Sequence, residues 1–140
     1  MIRKALPNDE NSVVEIDKAI IGTEKHRKKI NCAISDEMCI LSETNHCITG
    51  FAIMGYHFFD FGFVEHLMIH PDYQRQGIGY ALLQKCVGNC CTAKMFISTN
   101  STNLPMRGLL RKADFIFCGE ITHLDEDNSE FVYMAPSTFV

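Results

Sequence analysis

The residues best suited to chemistry lie in residues 70–87, above all in the six-residue string QRQGIG at positions 74–79. An apolar segment runs into a proline turn, then a short basic loop, then an amphipathic helix. The first N–H groups of a helix have no partner inside it, and the helix dipole adds partial positive charge there. Gly77 and Gly79 carry no side chain, so an anion can approach the backbone. The sequence therefore predicts a site for a phosphate-bearing ligand.

Other phosphate-binding loops do not fit this stretch, because neither GxxxxGK[ST] nor a complete GxGxxG is present. The stretch resembles the acyl-CoA signature [QR]-x-x-G-x-[GA] of the GNAT family (GCN5-related N-acetyltransferases), and Gln74, Gly77 and Gly79 fill its defined positions. The alternative is an ordinary strand-to-helix turn whose glycines serve packing. The resemblance implies that backbone N–H groups of the loop hold the CoA pyrophosphate and that Arg75 adds positive charge beside it. The N–H groups are those of Gln76, Gly77, Ile78, Gly79 and Tyr80.

The strand before the loop carries one acidic residue, Glu65, within an otherwise apolar run. Because strand side chains alternate, Glu65 shares a face with Leu67, whereas His66 points to the other face. An unpaired charge is costly to bury, which makes Glu65 a candidate site residue. The alternative is a glutamate at an exposed strand end or in an ion pair, and for His66 a structural role is expected.

The resemblance gives this strand two functions. A protonated amine cannot attack a thioester, so a base is needed, and Glu65 stands where the family often has a general base, acting directly or through water. The backbone of Leu67, Met68 and Ile69 is expected to pair with the pantetheine arm.

A downstream segment, residues 97–115, resembles the family's second cofactor segment. Asn103 matches an asparagine that starts a helix and contacts CoA, and Phe115 matches the phenylalanine that follows the helix. Asp114 replaces the usual glycine, which is tolerable because aspartate can enter the left-handed region. Leu110 stands where many members have a tyrosine that protonates the CoA thiolate.

The general acid therefore stays open among Tyr133, Tyr80, Tyr73 and solvent. The acceptor stays open as well. The acidic run 125–127 with Glu130 could attract a cationic amine, although a solvated hairpin loop is favoured. The basic run 26–29, which lies where the family has its acceptor-site helix, would instead favour an acidic or peptide acceptor.

Composition sets the remaining limits. A chain of 140 residues with 46% hydrophobic residues suits one domain over residues 1–140, and a net charge of −4 argues against a nucleic-acid partner. No apolar run suits a leader or a membrane span. Seven cysteines with no CxxC pair favour reduced thiols, a cytoplasmic location and no metal.

Periodicity predicts strands at 2–6, 38–43, 48–58, 61–69, 94–98, 115–121 and 131–135. Helices are expected from residue 7 to 21, in the following basic segment, at 76–90 and at 104–112. The order predicts a mixed α/β (α+β) fold, with a mostly antiparallel sheet of about six or seven strands flanked by about four helices. The GNAT fold has the same order.

Together these features predict an acetyl-CoA-dependent N-acetyltransferase that acts on a primary amine of a small molecule or peptide. No Cys/His arrangement supports a covalent intermediate, so direct attack in a ternary complex is expected. Acetyl-CoA would be the co-substrate of a monomer or homodimer without a membrane partner. The alternatives are a catalytically weak or inactive CoA-binding regulatory module, which Leu110 keeps open, and a structural domain without a ligand.

Overall fold

The structure is a computed structural model that describes residues 1–136. Its seven strands are β1 (Ile2–Lys4), β2 (Cys39–Thr44), β3 (Cys47–Phe58), β4 (Phe61–Ile69), β5 (Met95–Asn100), β6 (Ile116–Ile121) and β7 (Glu130–Met134). Its four helices are α1 (Glu10–Ile21), α2 (Arg27–Ser35), α3 (Ile78–Asn89) and α4 (Leu104–Lys112). The strands form one sheet in the order β1-β2-β3-β4-β5-β7-β6. The predicted fold class is confirmed.

The chain divides into two compact units, the first comprising residues 1–54 and 66–86. Here β1, β2 and β3 pair antiparallel, and the apolar faces of α1 and α2 cover a core that includes Val13, Ile30 and Phe51, each at most 1% exposed. Helix α1 ends because Gly22 adopts a left-handed φ of 85° while its N–H bonds to the carbonyl of Lys18.

The second unit comprises residues 55–65 and the chain from Val87 onward. Phe59 and Asp60 join β3 to β4 with φ values of 51° and 66°, the geometry of a type I′ hairpin. Strand β4 pairs parallel with β5 over three residue pairs that end at Val64 with Ile97. The remaining strands pair antiparallel, β5 with β7 and β7 with β6.

The predicted strand boundaries hold within about two residues, and the ends of β4 and α4 match fully. Helix α1 begins at Glu10 rather than at residue 7, because Pro7–Asp9 forms a 3₁₀ turn, and α2 continues to Ser35, beyond the predicted basic segment. Helix α3 begins at Ile78 rather than at Gln76, because Gly77 takes a left-handed φ of 80° that no α-helix admits. No helix among residues 1–136 combines the length and apolar character needed to cross a membrane.

Candidate functional site

The loop from β4 to α3 is held in place by its own side chains. A 3₁₀ turn, Pro71–Tyr73, follows the strand, and Nδ1 of His70 accepts a hydrogen bond from the N–H of Asp72 at 3.1 Å. Gln74 is extended and donates from Nε2 to the carbonyl of Ile69 at 3.3 Å. Gln74 thus closes the loop on the end of the strand.

Two left-handed residues shape the turn into α3. Arg75 has a φ of 65° and Gly77 one of 80°, and residues 74–77 are all exposed. The N–H of Ala81 bonds back to the carbonyl of Gly77 at 3.1 Å, so the amides of Ile78 and Gly79 belong to the first turn, which has no acceptor inside the helix. The glycine at position 77 is needed for its backbone angle, since a Cβ there would meet no other atom within 4 Å.

Strand β3 supports this loop through a close approach at Gly50. A Cβ at Gly50 would lie 2.8 Å from Cδ1 of Ile69, 2.9 Å from the carbonyl oxygen of Met68 and 3.4 Å from Cγ2 of Ile78. The N–H of His70 donates to the carbonyl of Thr49 at 2.8 Å. The end of β4 and the start of α3 are therefore fixed on the same short stretch of β3.

Glu65 is half-buried in β4, and the space for its carboxylate comes from Gly55 in β3. A Cβ at Gly55 would overlap Oε2 of Glu65 and lie 3.2 Å from its Cδ. The side chain therefore reaches across the neighbouring strand at a position that only glycine leaves open. Gly55 was not among the site residues predicted from the sequence, although a glycine inside a long apolar strand is the usual signal of such an approach.

The segment around α4 matches the expectations from the resemblance in three respects. Asn103 caps the helix, its Oδ1 accepting from the N–H of Met106 at 3.2 Å. Asp114 adopts a left-handed φ of 60°, and Phe115 is buried. Leu110 is fully buried, so its position serves the core in this chain.

The charged runs form side-chain contacts with neighbouring elements. Residues 125–127 lie in the exposed loop between β6 and β7, where Asp125 accepts from Nδ2 of Asn100 at 3.0 Å. In the basic run, Arg27 at the start of α2 donates to Glu24 and to Glu10 of α1. The side chains of this run therefore stabilise the α1–α2 junction as well as facing solvent.

The structure places the predicted cofactor residues 67–69 and 74–80 in the first unit, along one continuous stretch of chain. Glu65 and Asn103 belong to the second unit. The tyrosines considered as general acid divide in the same way. Tyr133 is buried in the second unit, whereas Tyr73 and Tyr80 lie beside the loop in the first.

Comparison with known proteins identifies the class. Residues 7–115 match the family model described as acetyltransferase (GNAT) family, and the chain therefore belongs to the GNAT family. A GNAT-family acetyltransferase from Bacillus cereus is 30% identical, with a TM-score of 0.94 over 96% of this chain and 95% of that one. Acetyl-CoA is the cofactor that the family uses.

More distant structures share the fold. The ribosomal-protein-S18-alanine N-acetyltransferase of Escherichia coli is 17% identical, with a TM-score of 0.81 over 100% of this chain and 95% of that one. The Salmonella typhimurium protein yncA, whose structure holds its cofactor acetyl-CoA, is 18% identical, with a TM-score of 0.82 over 100% and 95% of the two chains. Among proteins of curated function, none matches this sequence.

Proposed function

We propose that the protein is an N-acetyltransferase that transfers the acetyl group of acetyl-CoA to a primary amine by direct attack in a ternary complex. The observation that carries this proposal is the exposed turn into α3, in which the left-handed residues Arg75 and Gly77 precede the helix start. Such a turn presents backbone N–H groups to an anion at the positive end of a helix dipole.

In this proposal the N–H groups of residues 76–80 hold the CoA pyrophosphate, and Arg75 contributes charge. The backbone of Leu67, Met68 and Ile69 pairs with the pantetheine arm. This is supported by the register of β4, whose described pairing with β5 stops at Val64 although the strand continues to Ile69. The family resemblance makes Asn103 a further CoA contact in this proposal. Its Oδ1 is used as the helix cap, so its side-chain N–H₂ is the group that would donate a hydrogen bond to CoA.

Glu65 is the proposed general base. It takes a proton from the acceptor ammonium, directly or through water, and the neutral amine attacks the thioester carbon. Backbone N–H groups at Leu67 to Ile69 stabilise the oxyanion of the tetrahedral intermediate. Its collapse breaks the C–S bond, and the nitrogen releases its remaining extra proton, which leaves the neutral amide and CoA thiolate. The thiolate takes up a proton from one of the three candidate tyrosines or from solvent, which in turn recovers the proton that the nitrogen released.

The acceptor is assigned only as a primary amine. A structural relative that is named ribosomal-protein-S18-alanine N-acetyltransferase justifies including peptides among the candidates. The exposed acidic loop 125–127 justifies including polyamines, whose positive charge it would attract.

The test is an incubation with acetyl-CoA and a mixed panel of small amines, polyamines and peptides, with products followed by mass spectrometry. A thiol-detecting dye would be confounded by exposed Cys32, Cys47, Cys91 and Cys118. Acetylated product that is lost in Glu65→Gln supports the proposal. Thermal stabilisation by CoA without any product would instead favour a regulatory CoA-binding module, and failure to bind CoA would refute both functions.

A further inference from the structure

Three side chains that are far apart in the sequence converge within the first unit. Asp17 lies in α1, His26 immediately precedes α2, and His66 lies in β4. One nitrogen or oxygen atom from each lies within 4.8 Å of the others. Nδ1 of His26 is 3.0 Å from Oδ2 of Asp17, and the two imidazole rings meet edge to face at 4.9 Å.

The carboxylate of Asp17 is the least expected member of this group. Asp17 is 1% exposed, and its Oδ1 is buried with no hydrogen-bond partner among the described residues. Taking a carboxylate out of water costs several kcal/mol unless charge or hydrogen bonds replace the lost hydration. The contact with His26 accounts for Oδ2 and leaves the second oxygen without compensation.

Two imidazoles and one carboxylate form a donor set that suits Zn²⁺ and related first-row divalent cations. Bonds of about 2.0–2.2 Å to a tetrahedral Zn²⁺ place neighbouring ligand atoms about 3.3 Å apart. The separation between Asp17 and His26 already has this size. The remaining separations, at most 4.8 Å, must shorten on binding. Rotation of the His26 side chain, which is 25% exposed at the junction between α1 and α2, provides this adjustment in the proposed site.

We propose that Asp17, His26 and His66 form a binding site for a divalent transition-metal cation, with Zn²⁺ as the probe and water as the fourth ligand. On binding, two bonds to the metal replace the contact between His26 and Asp17. The cation neutralises the buried carboxylate and fixes α1, the start of α2 and β4 to one another. This site departs from the expectation of no metal, which rested on the cysteine pattern and did not consider histidine and carboxylate ligands from separate elements.

The proposal does not depend on acetyl transfer, so its test uses the full chain and no activity readout. Chelator-treated protein is titrated with Zn²⁺ by calorimetry, and the Co²⁺ form is examined by absorption spectroscopy. We expect one ion per chain. The Co²⁺ spectrum should lack the thiolate charge-transfer band that cysteine ligands produce.

Asp17→Asn, His26→Gln and His66→Gln should each weaken Zn²⁺ binding about tenfold or more, since even changes outside the ligand shell cost about 10–100-fold. His57→Gln is the matched control, because His57 is an exposed histidine of β3 outside the cluster, and it should bind as the parent chain does. Asp17→Asn keeps the shape of the side chain, and its thermal midpoint without metal verifies folding.

Three results would overturn the proposal. These are the absence of stoichiometric binding, binding that survives all three substitutions in folded protein, and a Co²⁺ spectrum with thiolate bands. Loss of binding in the three variants with retention in His57→Gln supports it.

Discussion

Gly55 and Glu65 face each other on neighbouring strands, and the carboxylate of Glu65 occupies the space that a side chain at position 55 would fill. A glycine in a strand interior weakens the strand, so its presence here needs a compensating reason. The position of the proposed general base is that reason. The relationship makes Gly55 a positioning residue for Glu65.

Replacing Gly55 by alanine should therefore displace the carboxylate. We expect kcat to fall at least about tenfold, because a well-placed acid or base contributes about 10²–10⁴-fold. The Kd for CoA should stay unchanged, because the residues proposed to bind CoA do not include Gly55 or Glu65. Steady-state kinetics with CoA titrations measure both quantities.

Gly88→Ala is the control for this substitution, because Gly88 is exposed in α3 with nothing within 4 Å of an added Cβ. It should leave kcat unchanged and stabilise the fold by about 0.4–1 kcal/mol. Full activity in a folded Gly55→Ala protein would contradict the positioning role.

Gly77 and Gly22 allow a second matched comparison. Both are left-handed, with φ values of 80° and 85°, and neither has an atom within 4 Å of an added Cβ. Alanine at either position should cost about 1–2 kcal/mol of stability, because the left-handed region disfavours a Cβ. Denaturant unfolding measures that cost.

Only Gly77→Ala should also weaken CoA binding several-fold, because relief of the strain moves the loop amides away from the pyrophosphate. Gly22 ends α1 and takes no part in the proposed site. Equal CoA affinity in the two variants would argue against the loop as the anion site.

Asp9 connects β1 to the start of α1 and should confer pH-dependent stability. It accepts two hydrogen bonds from Arg3, at 2.8 and 3.1 Å, and one from the N–H of Leu6 at 2.7 Å. The bonds from Arg3 are the main cause that lowers the pKa of the Asp9 carboxyl. The stabilisation is therefore present above the unfolded carboxyl pKa of about 3.9 and lost as the pH falls through the lower folded value.

Asp9→Asn should lower the free energy of unfolding at neutral pH by about 1–3 kcal/mol and flatten its decline at acid pH. Urea unfolding at several pH values tests this. Asp36→Asn, at an exposed position after α2, serves as control and should behave as the parent chain does. The same acid dependence in Asp9→Asn as in the parent would show that this group is not responsible.

The cysteines should differ sharply in reactivity. Cys39 is fully buried, and burial raises the pKa of its thiol to about 12. The reactive thiolate is therefore scarce and inaccessible in the folded protein. Native alkylation with peptide mapping should modify Cys32, Cys47, Cys91 and Cys118 first, and should reach Cys39 only after unfolding. Rapid native modification of Cys39 would contradict the described core.

By the family resemblance Leu110 stands where many members have a tyrosine, and its side chain is fully buried. Leu110→Tyr should therefore overpack the core at a cost of about 1–3 kcal/mol and should not raise kcat. Leu104→Tyr, at an exposed position on the same helix, should be nearly neutral in stability. A faster and equally stable Leu110→Tyr enzyme would show that this position faces the reaction.

Much of the fold was predictable because local signals agreed with one another. A nearly continuous apolar run predicted β4, and helical spacing after an asparagine cap predicted α4. The start of α3 was misplaced by two residues, because the left-handed φ of 80° at Gly77 is not marked by the helical spacing of the apolar residues. The left-handed angle of Asp114 followed from the family resemblance, because this residue replaces the usual glycine and aspartate tolerates that backbone angle.

The parts that the sequence did not reveal depend on contacts between distant segments. The role of Gly55 in positioning the Glu65 carboxylate becomes apparent only when the two strands are seen side by side. The cluster of Asp17, His26 and His66 draws one residue from each of three elements, so no spacing rule could find it. Such long-range convergence is a property of the fold rather than of any local pattern.

Direct acetyl transfer is tested most sharply by following isotopically labelled acetyl from acetyl-CoA to an amine in the parent chain and in Glu65→Gln. Direct attack with Glu65 as general base predicts label on the acceptor nitrogen and no labelled protein when the acceptor is omitted. It also predicts a rate lowered by about 10²-fold or more in Glu65→Gln with unchanged CoA affinity. Label that remains on the protein, or a Glu65→Gln enzyme of parental rate, would contradict it.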